Sequence, residues 1–169
     1  MRSLVGHGAD GTRLSSGDHD ADLSTAQVLV PYNGSKTARA ALDEAAECAI
    51  ALGASAWVLY VRPWDTSRGG HYFVETPAEA RAVAAEAVWR LRARGVSASS
   101  VMRSADRLRV PHAILAEADT LDVRMIVLGT RTRSAVSTAL LGSTSGSVAR
   151  RATRPVVLVQ ATSSTAALA

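Results

Sequence analysis

The sequence predicts an α/β domain built on a doubly wound parallel sheet, on three observations. Short apolar runs suited to buried strands occur at 27–31, 56–61, 123–128 and 155–160, with a weaker one at 96–103. Amphipathic stretches with a helical period separate them, and capping or turn signals introduce those stretches. Strands alternating with helices are joined by right-handed crossovers, which makes the strands parallel and brings ligands to their carboxyl ends.

Residues 1–26 are rich in Gly, Ser and Asp with no period of either kind, and read as a disordered extension. Gly6-His7-Gly8-Ala9-Asp10-Gly11 formally matches GxGxxG. That fingerprint works only between a strand and a helix, and neither flanks it here. The folded domain is expected over 27–160, followed by a short tail at 161–169.

Gln27-Val28-Leu29-Val30-Pro31 is a central strand. Tyr32-Asn33-Gly34-Ser35 turns and caps a helix whose apolar face is Ala38, Ala41, Leu42, Ala45, Ala49 and Leu52, stopped by Gly53. The second strand, 56–61, is expected to end at Pro63, and 64–75 to be an aromatic-bearing loop. Thr76-Pro77-Ala78-Glu79 is a capping box opening a helix that runs to Arg94. The serines at 97, 99 and 100 mark the third strand as a sheet edge. Pro111 opens a third helix, on which His112 is expected to face solvent, and the fourth strand covers 123–128. A fourth helix is expected over 143–152, and Pro155-Val156-Val157-Leu158-Val159-Gln160 is the fifth strand.

Composition narrows the function. With 169 residues, 47% hydrophobic and 20% charged, the chain can bury a real core as one soluble domain. No apolar run reaches the roughly 18 residues of a membrane span, and Cys48, the only cysteine, reads as a small buried apolar residue, so a cytoplasmic location is expected. The net charge of +4 suits a polyanionic ligand. The arginines are scattered and aromatics are few, which disfavours nucleic acid. There is no GxxxxGK[ST], no GxSxG and no metal-binding cluster, and nothing nominates a catalytic base.

What remains is Gly129-Thr130-Arg131-Thr132-Arg133 after the fourth strand and Gly142-Ser143-Thr144-Ser145 at the next helix. Amides and hydroxyls at a helix start, with arginines nearby, can hold phosphate oxygens. The same residues also read as turn glycines and helix caps. The pattern leaves both open.

Taken together, Val30-Pro31-Tyr32-Asn33-Gly34-Ser35, Gly129 to Ser143 and Pro155-Val156-Val157-Leu158-Val159 resemble the universal stress protein family. The family pattern is a V-P-x-D-G-S-like turn, then G-x-x-G, nine residues and G-[ST], then a P-V-x-V-V strand. The resemblance implies a five-stranded sheet of order 3-2-1-4-5 in the adenine nucleotide α-hydrolase-like manner. It implies a homodimer joined through the last strand, 156–160, and ATP, with Mg accompanying it, as the ligand. By position, Pro31 would belong to the nucleotide site, Asn33 would lie near the ribose and phosphates, and Val61 would meet adenine through its backbone. Gly129, Arg131, Thr132, Gly142, Ser143, Thr144 and Ser145 would hold the phosphates. Thr132 stands where the family has its second glycine and Asn33 where it has aspartate. The readings are therefore a nucleotide-binding stress regulator, a dimeric interaction protein whose pocket has degenerated, and a slow ATP hydrolase.

Overall fold

The computed structural model describes residues 26–67, 69–131 and 143–161. Outside the described residues lie the extension read at 1–26 as far as residue 25, with its GxGxxG sequence, and also Arg68, Thr132, Arg133, Gly142 and the tail beyond residue 161.

The described elements are strands β1 (Gln27–Pro31), β2 (Ser55–Ser67), β3 (Gly70–Phe73), β4 (Ala98–Asp106), β5 (Met125–Thr130) and β6 (Val156–Gln160). Helices α1 (Lys36–Leu52), α2 (Pro77–Ala93), α3 (Val110–Thr120) and α4 (Ser143–Arg151) connect them. Parallel pairing runs β4-β2-β1-β5-β6, which is the expected 3-2-1-4-5 order. The sheet is six-stranded rather than five-stranded, because β3 adds an antiparallel partner to the far end of β2.

Strand alternation sorts the core into two layers. Val28, Val30, Val58 and Val127 pack under α1 and α2 with Leu42 and Leu91. Leu29, Leu59, Ile126 and Leu128 pack on the other face with Ile114 of α3 and Val148 of α4. Each of these larger side chains contributes about 1.5–3 kcal/mol by leaving water.

The caps are local and follow the sequence. The Ser35 hydroxyl accepts from the Ala38 amide, and Gly53 closes α1 at φ 59°. At α2 the Thr76 hydroxyl accepts from the Glu79 amide at 3.2 Å while the Glu79 carboxylate accepts from the Thr76 amide at 2.7 Å. The Thr76 amide, and then the Thr76 hydroxyl donating to the same carboxylate at 2.8 Å, hold the Glu79 carboxyl below its ordinary range. His112 is exposed, and Cys48 is half-buried, its thiol pushed up by burial and then by Glu44. No helix among the described residues is long and apolar enough to cross a membrane.

The loop expected at 64–75 is instead largely a hairpin, with Trp64 paired to Phe73 and Ser67 to Gly70. Arg62 stacks its guanidinium 3.9 Å from the centre of the Phe73 ring and donates to the Glu75 carbonyl at 2.8 Å. Tyr60 donates to the Glu75 carboxylate at 2.6 Å. Burial, followed by that carboxylate, holds the Tyr60 hydroxyl well above its ordinary range.

Candidate functional site at the carboxyl ends of the strands

β1 has β2 on one side and β5 on the other, and the connections from β1 and β5 leave in opposite directions across the sheet. This is the reversal point at which an open α/β sheet forms a crevice beyond its strand ends. Pro31 ends β1 half-buried, paired with Leu59. The exposed Asn33 then folds its Oδ1 back to accept the Ser35 amide at 3.2 Å, an Asx turn that leads into the α1 cap. Gly34 takes φ 74° in that turn. Asparagine thus fills aspartate's local structural role and keeps two amide N–H donors that this bond does not use.

Across the crevice, Gly129 does not open a loop: it lies inside β5, paired with Val159, and the strand continues through the buried Thr130. Its lack of a side chain has a packing cause. A Cβ there would sit 2.5 Å from the Thr37 carbonyl carbon and 3.0 Å from the Ala38 nitrogen, so glycine is what allows the first turn of α1 to lie on β5. Arg131 follows, exposed at the strand end.

Helix α4 begins with Ser143 exposed, Thr144 half-buried and Ser145 buried. The amides of this first turn have no intrahelical acceptor, the standing requirement for an anion site. The helix carries no acidic residue in that turn, and its arginines, 150 and 151, sit at the opposite end where they match its dipole.

The third wall is β2. β1 pairs with residues 55–59 and β3 with residues 64–67. Trp64 is paired with both Phe73 and Asp106, so β3 lies on the opposite side of β2 from β4, which is the side of β1. Residues 60–63 therefore have β4 along one edge and, among the described residues, no strand along the other. The Leu59 carbonyl accepts the Tyr32 amide at 2.9 Å, so it points toward β1. Backbone groups alternate along a strand, so the N–H and C=O of Val61 point the same way, into this gap. The structure thus offers a neighbouring donor and acceptor at Val61. Pro63, which shares that direction, has no N–H to lose there, and this is why it does not end the strand.

Pro31, Asn33, Gly129 and Arg131 thus lie at the carboxyl ends of β1 and β5, and Val61 lies midway along β2, two residues beyond its last pairing with β1. Ser143, Thr144 and Ser145 start the helix between β5 and β6, while Thr132 and Gly142 belong to the undescribed connection. Thr37 carries no signal in the sequence, and Tyr32 is legible there only as part of the turn. Thr37 dictates Gly129, and Tyr32 is 2% exposed with its hydroxyl unpartnered among the described residues.

The profile of the universal stress protein family matches residues 25–160. Among solved structures, a universal stress protein from Archaeoglobus fulgidus is 25% identical, with 79% of this chain and 98% of that one covered at a TM-score of 0.64. A family protein from Burkholderia pseudomallei is also 25% identical, covering 80% and 96% at a TM-score of 0.62. A universal stress protein in complex with cAMP is 26% identical, covering 81% and 98% at a TM-score of 0.61. A search of the curated proteins finds no match. With the family profile spanning nearly the whole sheet and its crevice, the chain belongs to the universal stress protein family.

Proposed function

We propose that this chain is a regulatory domain of the stress response that binds an adenine nucleotide, ATP in the first place, in the crevice between β1, β2 and β5. The observation that carries the reading is the gap beside residues 60–63. A backbone N–H and C=O on one extended residue match the N1 acceptor and N6 donor of adenine. Asn33 would meet the ribose, and the first turn of α4, with Arg131 and the 132–142 connection, the phosphates. A relative 26% identical to this chain has been crystallised with cAMP, which supports the adenine assignment. No group of three or more His, Cys, Asp or Glu side chains fit to hold a metal is found among the described residues, so Mg would arrive on the phosphates.

Isothermal titration with ATP, AMP and cAMP, with and without magnesium, tests the reading. Saturable binding is expected, weakened at least about tenfold by Ser143→Glu, which sets a carboxylate against the phosphates, a loss of roughly 1.4 kcal/mol. No heat at millimolar nucleotide sinks it. Gly129 is equally compatible with the second reading, a scaffold without nucleotide, since its packing against Thr37 requires glycine with or without a ligand. In either reading we place the homodimer contact on β6, whose Val156, Val157, Leu158 and Val159 are only half-buried and which pairs with β5 alone among the described residues. Sedimentation of wild type and Leu158→Asp checks that contact.

A further inference from the structure

Away from the crevice, α2 and the sheet edge enclose an open groove of about 470 Å³ lined by Ala85, Val88, Trp89, Arg92, Ser99 and Ser100. Trp89 is 70% exposed, the kind of large apolar surface that marks a contact site rather than a core. Strand β4 pairs only with β2 among the described residues, so its outer backbone edge borders the groove unpaired. Arg92 is fixed there by donating from Nε and Nη2 to the Ala98 carbonyl at 3.0 and 2.7 Å, and it has no carboxylate partner among the described residues. The groove therefore presents an indole, a bare strand edge and an unneutralised guanidinium.

We propose that this groove is the docking site for residues 14–25 of the same chain. The chemistry is complementary: Leu14 and Leu23 bracket Asp18, Asp20 and Asp22, and the stretch has no lysine or arginine. The attachment point suits it as well. The Ala26 carbonyl accepts the Ser55 amide at 3.1 Å, and the Ser97 carbonyl accepts the Ala56 amide at 2.9 Å. The chain thus enters the sheet at the level where β4 begins, two strand spacings away, or about 10 Å. Twelve residues span up to about 40 Å when extended. An acidic segment with apolar ends, tethered this close, meets the groove at high effective concentration. Its docking covers Trp89, sets carboxylates beside Arg92 and shields the open edge from other strands.

The test uses the full chain with Cys48→Ala and Ser16→Cys, a nitroxide on the new thiol and ¹⁵N detection. Docking predicts broadening of the Trp89 indole and of the Ser99 and Ser100 amides. The broadening should be unchanged by tenfold dilution and at least halved when Asp18, Asp20 and Asp22 are all replaced by asparagine. Three results overturn the proposal: no broadening at the groove, which leaves it to another occupant; broadening that fades on dilution, which assigns it to a second copy; and broadening indifferent to the asparagine substitutions.

Discussion

The exits from β1 and β2 perform the same task, carrying the chain from a strand end into a helix on the same face, and they do it by opposite means. After β1 the chain takes four residues, and every step is local: the Asn33 side chain closes on the Ser35 amide, Gly34 supplies the left-handed turn and Ser35 caps α1. After β2 the strand runs on through Pro63, folds back as β3 and reaches α2 only at Pro77, held by Tyr60 and Arg62 each bonding to Glu75 across the hairpin. A short exit encodes its own geometry, whereas a long one depends on the fold around it. The first should therefore resist change through packing behind it, and the second should loosen piecemeal.

The largest effect is expected where the β1 exit leans on β5. Gly129→Ala drives a methyl into the Thr37 carbonyl, which is backbone and has no rotamer to yield, and should cost about 3 kcal/mol in chemical denaturation. At the β2 exit, Thr76→Ala removes the cap of α2 and should cost about 1 kcal/mol by the same measurement. Tyr60→Phe deletes the hydroxyl that holds Glu75, for about 1 kcal/mol or less, but its signature is regional. Hydrogen exchange should quicken at residues 64–75 and stay unchanged at 31–38, and a uniform change would erase the contrast between the exits. The smallest effect is acidic. Because the Glu79 carboxyl is held low by Thr76, its contribution is complete above the ordinary value of 4.5 and lost as pH falls through the lower folded value. The difference in thermal midpoint between wild type and Glu79→Gln should close as the solution is acidified below that point.

The same contrast explains how far the residues could be read in advance. Ser35, Gly53 and the Thr76, Pro77, Glu79 cap act within a few residues of themselves, so their roles were legible, as was the strand order once both ends of the domain were matched. Pro63 was misread as a strand end because the missing N–H matters only if a neighbour needs it, and the unpaired side of β2 at 60–63 is a property of the assembled sheet. The sequence leaves Gly129 open between a phosphate-loop glycine and a turn glycine, and its packing contact is with a helix more than ninety residues earlier in the chain, which no local pattern carries. Val61 was placed by resemblance alone. Its backbone direction follows from counting along β2 from Leu59, a count that needs the register with β1.

The gap beside residues 60–63 has an evolutionary side. In the proposed reading the recognition element at Val61 is main chain, which survives almost any exchange of the side chain that carries it, so point mutation there is a poor route to a different ligand. What the gap depends on is counting: the number of residues between the last one matched to β1 and the first one matched to β3. Inserting a single residue there would turn Val61 toward β4 and present its neighbour instead. Relatives that read a different base should therefore differ in the length of this stretch before they differ in its letters.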